Sequence, residues 1–331
     1  MQKLLIVGCG DVARRTLPRL LGHYQVFALL RDPAQVAFWR LGGARPIIAD
    51  LDRAASLKRI SGLADIVLHF APPPERGTVD TRTRHLLAAL KQGKNLPQRM
   101  IYISTSGVYG DCAGARVDET RPVRPATARA QRRVDAERQL RRFGRRPGVR
   151  VSILRAPGIY AADRLPLERL RIGVQALRAE DDVFTNHIHA DDLAMLTCAA
   201  LRFGRANRSY NASDDSEMKM GDYFDFVADR FNLPRAPRIS RREAQQSMPP
   251  VQLSFMSESR SLDNRRAKRE LRAQWRYPQI TDGVNAAWLE RQNTDVLSRN
   301  QDATHRSGHQ LVCRPVLFAA PLRQSGDGAY R

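Results

Sequence analysis

A chain of 331 residues with a formal net charge of +21 is long enough for a sizeable core and raises a polyanion as its first candidate partner. Six of the 55 basic residues are lysine and 49 are arginine, spread without zinc-finger spacing, basic zipper or aromatic RNA-binding signature, so arginine-rich codon usage is the simpler account and nucleic acid is set aside. No apolar run is long enough to span a membrane, and the scattered Cys9, Cys112, Cys198 and Cys313 exclude a disulfide framework or thiolate metal site, leaving a reducing cytoplasm as the expected setting.

The chain opens on Leu4-Leu5-Ile6-Val7, followed at once by Gly8-Cys9-Gly10-Asp11-Val12-Ala13. An apolar run breaking into glycines before a helical pattern predicts the first strand, turn and helix of a Rossmann unit. Gly8 permits the tight turn, and Gly10 lets the backbone approach a pyrophosphate. Small Ala13 lets the helix pack on the strand. Asp11 and Val12 open the helix whose free N–H groups face the phosphates. A strand beginning near Lys3 leaves no room for a signal peptide. Pro18 is expected to kink or shorten the helix.

Strand-like runs at 25–30, 45–48, 66–70, 100–104 and 151–154 alternate with helical stretches. That alternation predicts an α/β fold with a doubly wound parallel sheet. After the second run comes Arg31 and then Asp32. Arg31 suits the 2′-phosphate of NADP and Asp32 keeps NAD open, so NADP is the expected cofactor with NAD as its alternative. The predicted division is a dinucleotide-binding domain over 1–157, its sheet completed within about 186–213. A smaller substrate lobe is expected over 158–185 and 214–291, with a helix at 221–230. The tail, 292–331, is polar without sustained periodicity and is expected to lie outside the fold.

Several segments in order resemble the extended short-chain dehydrogenase/reductase superfamily, which includes sugar-nucleotide epimerases and dehydratases. They are the glycine turn, Ala49-Asp50-Leu51, Ala64-Asp65-Ile66-Val67-Leu68-His69-Phe70-Ala71 and Ile103-Ser104-Thr105-Ser106-Gly107-Val108-Tyr109-Gly110. Asp118-Glu119-Thr120, Leu154-Arg155 with Pro157-Gly158-Ile159-Tyr160, Ile188-His189-Ala190-Asp191-Asp192 and Tyr210-Asn211-Ala212 follow. The resemblance covers residues 3–290. It implies NAD(P) as cofactor, with Asp50 and Leu51 flanking the adenine and Ala71 and Pro157 lining the cofactor. It also implies Thr105 as the hydroxyl beside the reacting oxygen, and a nucleotide sugar or related carbonyl compound as substrate. A homodimer is compatible with it. His187, His189, Asp191 and Asp192 suggest a metal cluster, but the resemblance makes this region structural, with Asp191 or Asp192 as a helix N-cap and no metal.

One departure changes the chemistry. Counting from Pro125 and from Glu137 puts Arg129 where the superfamily has its tyrosine and Arg133 where it has its lysine. At 100° per residue, Arg129, Arg133 and Glu137 share an arc of about 80°. Arginine stays protonated and offers donors without acid–base exchange. The pair is therefore expected to clamp an anionic group of a small-molecule substrate, a task suited to guanidinium forks. Tyr109, Tyr160 and His69 are candidate replacements for the lost phenol. The alternative is an inactive NAD(P)-binding sensor or scaffold.

Overall fold

The first strand alternates between two cores. Leu4 and Ile6 enter one with Ala13, Leu193 and Leu196, while Leu5 and Val7 enter another with Leu86, Leu140 and Phe143. A strand covered on both faces reads as a continuous apolar run, which is why no polar alternation appears in the sequence. In the computed structural model, which describes residues 1–307, seven strands follow this logic. They are β1 (Gln2–Val7), β2 (Tyr24–Leu30), β3 (Arg45–Ile48), β4 (Ile66–His69), β5 (Arg99–Thr105), β6 (Arg150–Ala156) and β7 (Arg208–Asn211). Their order is β3-β2-β1-β4-β5-β6-β7, all parallel. This is the Rossmann-type α/β sheet, with its order reversing between β1 and β4.

Helices α1 (Asp11–Thr16), α2 (Val36–Leu41), α3 (Thr81–Lys91), α4 (Ala128–Phe143), α5 (Leu167–Arg171) and α6 (Ala190–Phe203) appear in chain order. After α6 come α7 (Met220–Arg230), α8 (Arg241–Ser247), α9 (Pro250–Met256), α10 (Arg265–Leu271) and α11 (Ile280–Ser307). Pro18 has the expected effect: α1 stops at Thr16, and the chain continues as a 3₁₀ turn over Leu17–Arg19. Helices α1, α6 and α10 supply one core and α3 and α4 the other. A third core gathers Tyr160, Leu170, Leu177, Phe224, Val227 and Val284. Short strand pairs accompany it, Ala176–Leu177 with Arg238–Ile239 and Phe184–Thr185 with Met218–Lys219.

By contacts the chain divides into Met1–Trp288 and Leu289–Arg331. The second unit contains the later turns of α11, up to Ser307, within the polar segment 292–331 that the sequence reading sets outside the fold. Residues 289–307 hold neither glycine nor proline, and propensity alone permits a helix without an apolar stripe. The rest of that expected tail, 308–331 with Cys313, lies outside the described residues.

Candidate functional site

The glycine turn sits where the sheet order reverses, at the carboxyl end of β1. Gly8 has φ +94°, and a Cβ there would run into the backbone of Phe70 and Ala71. The amides of Phe70 and Ala71 both donate to the Val7 carbonyl, at 2.7 and 3.0 Å. β1 and β4 are thus closed against each other, and glycine is the residue that fits. Gly10 is different: a Cβ there meets nothing within 4 Å. It is the N-cap of α1, so the start of that helix carries no side chain at its cap position. Asp11 is held by Arg15 at 2.9 Å and Arg164 at 3.1 Å, while Val12 is half-buried against the first core.

Residues carried by the resemblance line up along the same edge. Arg31 follows β2, Asp50 and Leu51 follow β3, and Ala71 follows β4. Arg31 is exposed. The Asp32 carboxylate caps the next turn, accepting from the Ala34 amide at 2.9 Å. Asp50 likewise accepts from the Asp52 amide at 2.9 Å. Leu51 is buried, and its carbonyl meets His85 Nδ1 at 2.7 Å.

Beyond β5 and β6 lies a cleft of about 460 Å³. It brings together Thr105, Arg129, Arg133 and Pro157. Thr105 ends β5, and its Oγ1 accepts from the Gly107 amide at 3.2 Å. That bond uses a lone pair, so the hydroxyl can still donate. Arg133 donates from Nη1 to the Ile103 carbonyl at 2.8 Å and to the Tyr102 hydroxyl at 3.0 Å, with its guanidinium over the Tyr102 ring. It is thereby fixed to the end of β5. Arg129, one turn earlier on α4, is exposed at the cleft wall. Partial desolvation lowers its pKa from the ordinary guanidinium value; Glu258 opposes that shift, and Arg133 and Arg132 add to it. Below them, Glu137 and Arg155 form a buried two-pronged ion pair, at 3.1 and 2.7 Å, that ties α4 to β6.

The three expected substitutes for the missing phenol are elsewhere. Tyr109 is buried and donates to Asn211 Oδ1 at 2.7 Å, and burial pushes its pKa up to about 12. His69 is fully buried beside Thr83 Oγ1 at 2.8 Å, with its pKa driven down to about 3 by desolvation. Tyr160 is buried in the third core. Tyr109 ends the 3₁₀ turn that follows β5, His69 ends β4, and Tyr160 ends the short strand Gly158–Tyr160; all three side chains are buried. Among the described residues no tyrosine, histidine, cysteine or lysine lines the cleft.

The expected aspartate cap is also corrected. His189 caps α6, its Nδ1 accepting from the Asp191 amide at 3.2 Å. Asp191 instead pairs with Arg15 at 2.8 Å, and Asp192 accepts from the amides of Arg276 and Tyr277 at 2.8 and 3.0 Å. Among the described residues no group of three or more His, Cys, Asp or Glu could hold a metal.

Sequence reasoning missed Arg132, Glu258 and Arg260 on the cleft wall, and the Pro72-Pro73-Pro74 segment that follows Ala71. The triple proline, stiff and placed directly after the strand-four motif, was the one signal that could have marked a wall. Glu258 and Arg260 come from a distant segment with no local pattern.

A family model described as NAD(P)H-binding matches residues 8–202. Comparison with curated proteins finds no match. Among solved structures, a functionally unknown conserved protein from Silicibacter pomeroyi is 27% identical, covering 88% of this chain and 99% of its own, with a TM-score of 0.71. A dTDP-glucose 4,6-dehydratase double mutant from Streptomyces venezuelae, with NAD and DAU bound, is 20% identical over 87% of this chain and 96% of its own, TM-score 0.70. A UDP-glucose 4-epimerase from Thermotoga maritima, with UDP-glucose, is 17% identical over 89% and 99%, TM-score 0.70. Among the described residues, no helix is long and apolar enough to cross a membrane.

Proposed function

The chain belongs to the NAD(P)H-binding family, and from that premise we propose an NAD(P)-dependent oxidoreductase or epimerase-like protein whose non-standard site takes a small anionic substrate. The substrate class is a nucleotide sugar or related carbonyl compound. The observation that carries this is the convergence of Thr105, Arg129, Arg133 and Pro157 on one cleft, beside the sheet reversal that carries the glycine turn. A bound nicotinamide supplies hydride transfer. Gly10 and the start of α1 offer the pyrophosphate its place, and Thr105 donates to the reacting oxygen. Arg129 and Arg133 hold an anionic group of the substrate. Arg31, exposed and placed after β2, supports NADP, and the engaged Asp32 carboxylate supports it further. The free thiols of Cys9, Cys112 and Cys198 support a cytoplasmic setting.

The test is the double change Arg129→Tyr with Arg133→Lys. Each charge-assisted bond lost costs about 1.5–3 kcal/mol, and a phenol with a point-charge amine cannot replace two forks. Turnover of NAD(P)H against a panel of nucleotide sugars and carbonyl compounds is expected to disappear, along with ligand-induced melting shifts. Activity that rises in the double mutant overturns the clamp.

One observation favours a second reading, an NAD(P)-binding sensor without turnover: among the described residues no phenol or imidazole lines the cleft. Ligands that raise the melting temperature yet never consume NAD(P)H in a single-turnover assay select it.

A further inference from the structure

The cleft holds more positive charge than two arginines. Arg132 and Arg260 also line it. Arg132 is 8% exposed and donates from Nη1 to the Gly77 carbonyl at 2.6 Å, while its Nε is buried without a hydrogen-bond partner. Arg260 repeats the pattern: Nη1 reaches the Gly110 carbonyl at 2.6 Å and Glu258 at 2.9 Å, and Nε is buried without a partner. The segment that carries Arg260 is pinned, because Asn186 Nδ2 donates to the Arg260 carbonyl at 2.8 Å and Asn186 Oδ1 accepts from the Leu262 amide at 2.9 Å. Two carboxylates face these four guanidiniums. Glu75 is exposed, and Glu258 is the inner one, in ion-pair contact with Arg260 and within electrostatic reach of Arg129.

Leaving a buried guanidinium N–H without an acceptor is costly, and the cost falls when a ligand brings oxygens. A carboxylate has two oxygens and one charge. A terminal phosphoryl group has three non-bridging oxygens and close to two charges, and it can take forks from several directions at once. The surplus of four cations over one inner anion matches the second.

We propose that Arg132 and Arg260 complete, with Arg129 and Arg133, a receptor for a phosphoryl group on the small-molecule ligand, and that Glu258 is the resident counter-ion the group displaces. This rests on the anionic-substrate reading above and adds the charge state, two cations and the competing carboxylate.

The probe is inorganic phosphate, with acetate as the monoanion, titrated by calorimetry into the full chain. Phosphate is expected to bind more tightly than acetate. Arg260→Gln is expected to weaken phosphate at least about tenfold. Glu258→Gln, isosteric and uncharged, is expected to tighten it by about five- to tenfold. That gain is a result no unfolded or loosened variant can produce, so it keeps the test decisive if Arg260→Gln fails to fold. Gly10→Val is expected to leave phosphate affinity alone, which places the ion in the cleft and not at the glycine turn. Phosphate affinity indifferent to both Arg260→Gln and Glu258→Gln overturns the proposal. If Arg129→Gln abolishes phosphate binding while Arg260→Gln does not, the earlier clamp stands and this receptor falls. If neither anion binds wild type, both fall. If NADPH fails to bind while phosphate follows Arg260, the cofactor reading falls and the receptor stands.

Discussion

The groove at the ends of β1 to β4 and the cleft beyond β5 and β6 lie along one edge of the same sheet but are built from different materials. The groove is backbone. Its shape comes from the left-handed Gly8, the open space at Gly10 and the Val7 carbonyl shared by the Phe70 and Ala71 amides just after β4. The cleft is side chain, and its charge comes from α4 and from residue 260, drawn together by tertiary structure. Backbone geometry demands particular residues at particular spacings, so it leaves a mark in the sequence. Side-chain chemistry at the end of a strand can change by single substitutions while the scaffold stays. The arginine at position 129, where the resemblance implies a phenol, illustrates a change of that kind.

The two glycines offer the strongest way to break this comparison. Gly8→Val places a β-branched side chain against the Ala71 backbone at a positive φ. Overpacking and left-handed strain together are expected to cost about 3–5 kcal/mol, measured by denaturant unfolding. Gly10→Val meets no neighbour, so its stability should stay within about 1 kcal/mol of wild type. Its dinucleotide affinity should fall sharply in calorimetry, because the side chain occupies the pyrophosphate's approach. A Gly8→Val protein as stable as wild type would remove the steric account of the turn. Undiminished NAD(P)H affinity in Gly10→Val would move the cofactor elsewhere.

The ion pair that ties α4 to β6 is a comparable lever. Glu137 and Arg155 are both nearly fully buried, and removing one partner leaves the other charge stranded. Glu137→Ala is expected to lose about 3–5 kcal/mol. A double change to apolar residues of similar volume should recover most of that, because the pair's own desolvation cost disappears as well. A loss that persists in the double variant would mean the pair does more than satisfy itself, holding α4 and its arginines in register.

How much was legible follows from the same contrast. The six main-sheet strands before residue 157, the break at Pro18 and the late strand near Tyr210 were readable, because apolar runs and punctuating glycines and prolines are local. The convergence of Thr105, Arg129 and Arg133 was readable because the resemblance assigns all three to one site and helical spacing puts the two arginines on one arc. Arg260 and Glu258 were not, since nothing near them in sequence says which cavity they border. The cap of α6 was misassigned for a related reason. An aspartate is the commoner cap, and only the fold reveals that Arg15 and the Arg276 and Tyr277 amides already claim both carboxylates.

The smallest expected effect concerns Arg31, which belongs to the groove but acts through a side chain, as the cleft residues do. Its exposure lets water and salt compete for any contact with a 2′-phosphate. A charge-assisted bond is worth about 1.5–3 kcal/mol, and solvent screening moves an exposed one toward the lower end. Arg31→Ala should therefore weaken NADP by about 1–2 kcal/mol, roughly five- to thirtyfold, and leave NAD nearly untouched. Asp32 predicts the converse asymmetry weakly, since its carboxylate already serves the Ala34 amide and a ribose hydroxyl would have to share it. Raising ionic strength should shrink the NADP preference of wild type toward that of the variant, because an exposed pair is screened over about 10 Å at 0.1 M salt. Equal losses for both dinucleotides in Arg31→Ala would show that the residue shapes the groove without reading the phosphate.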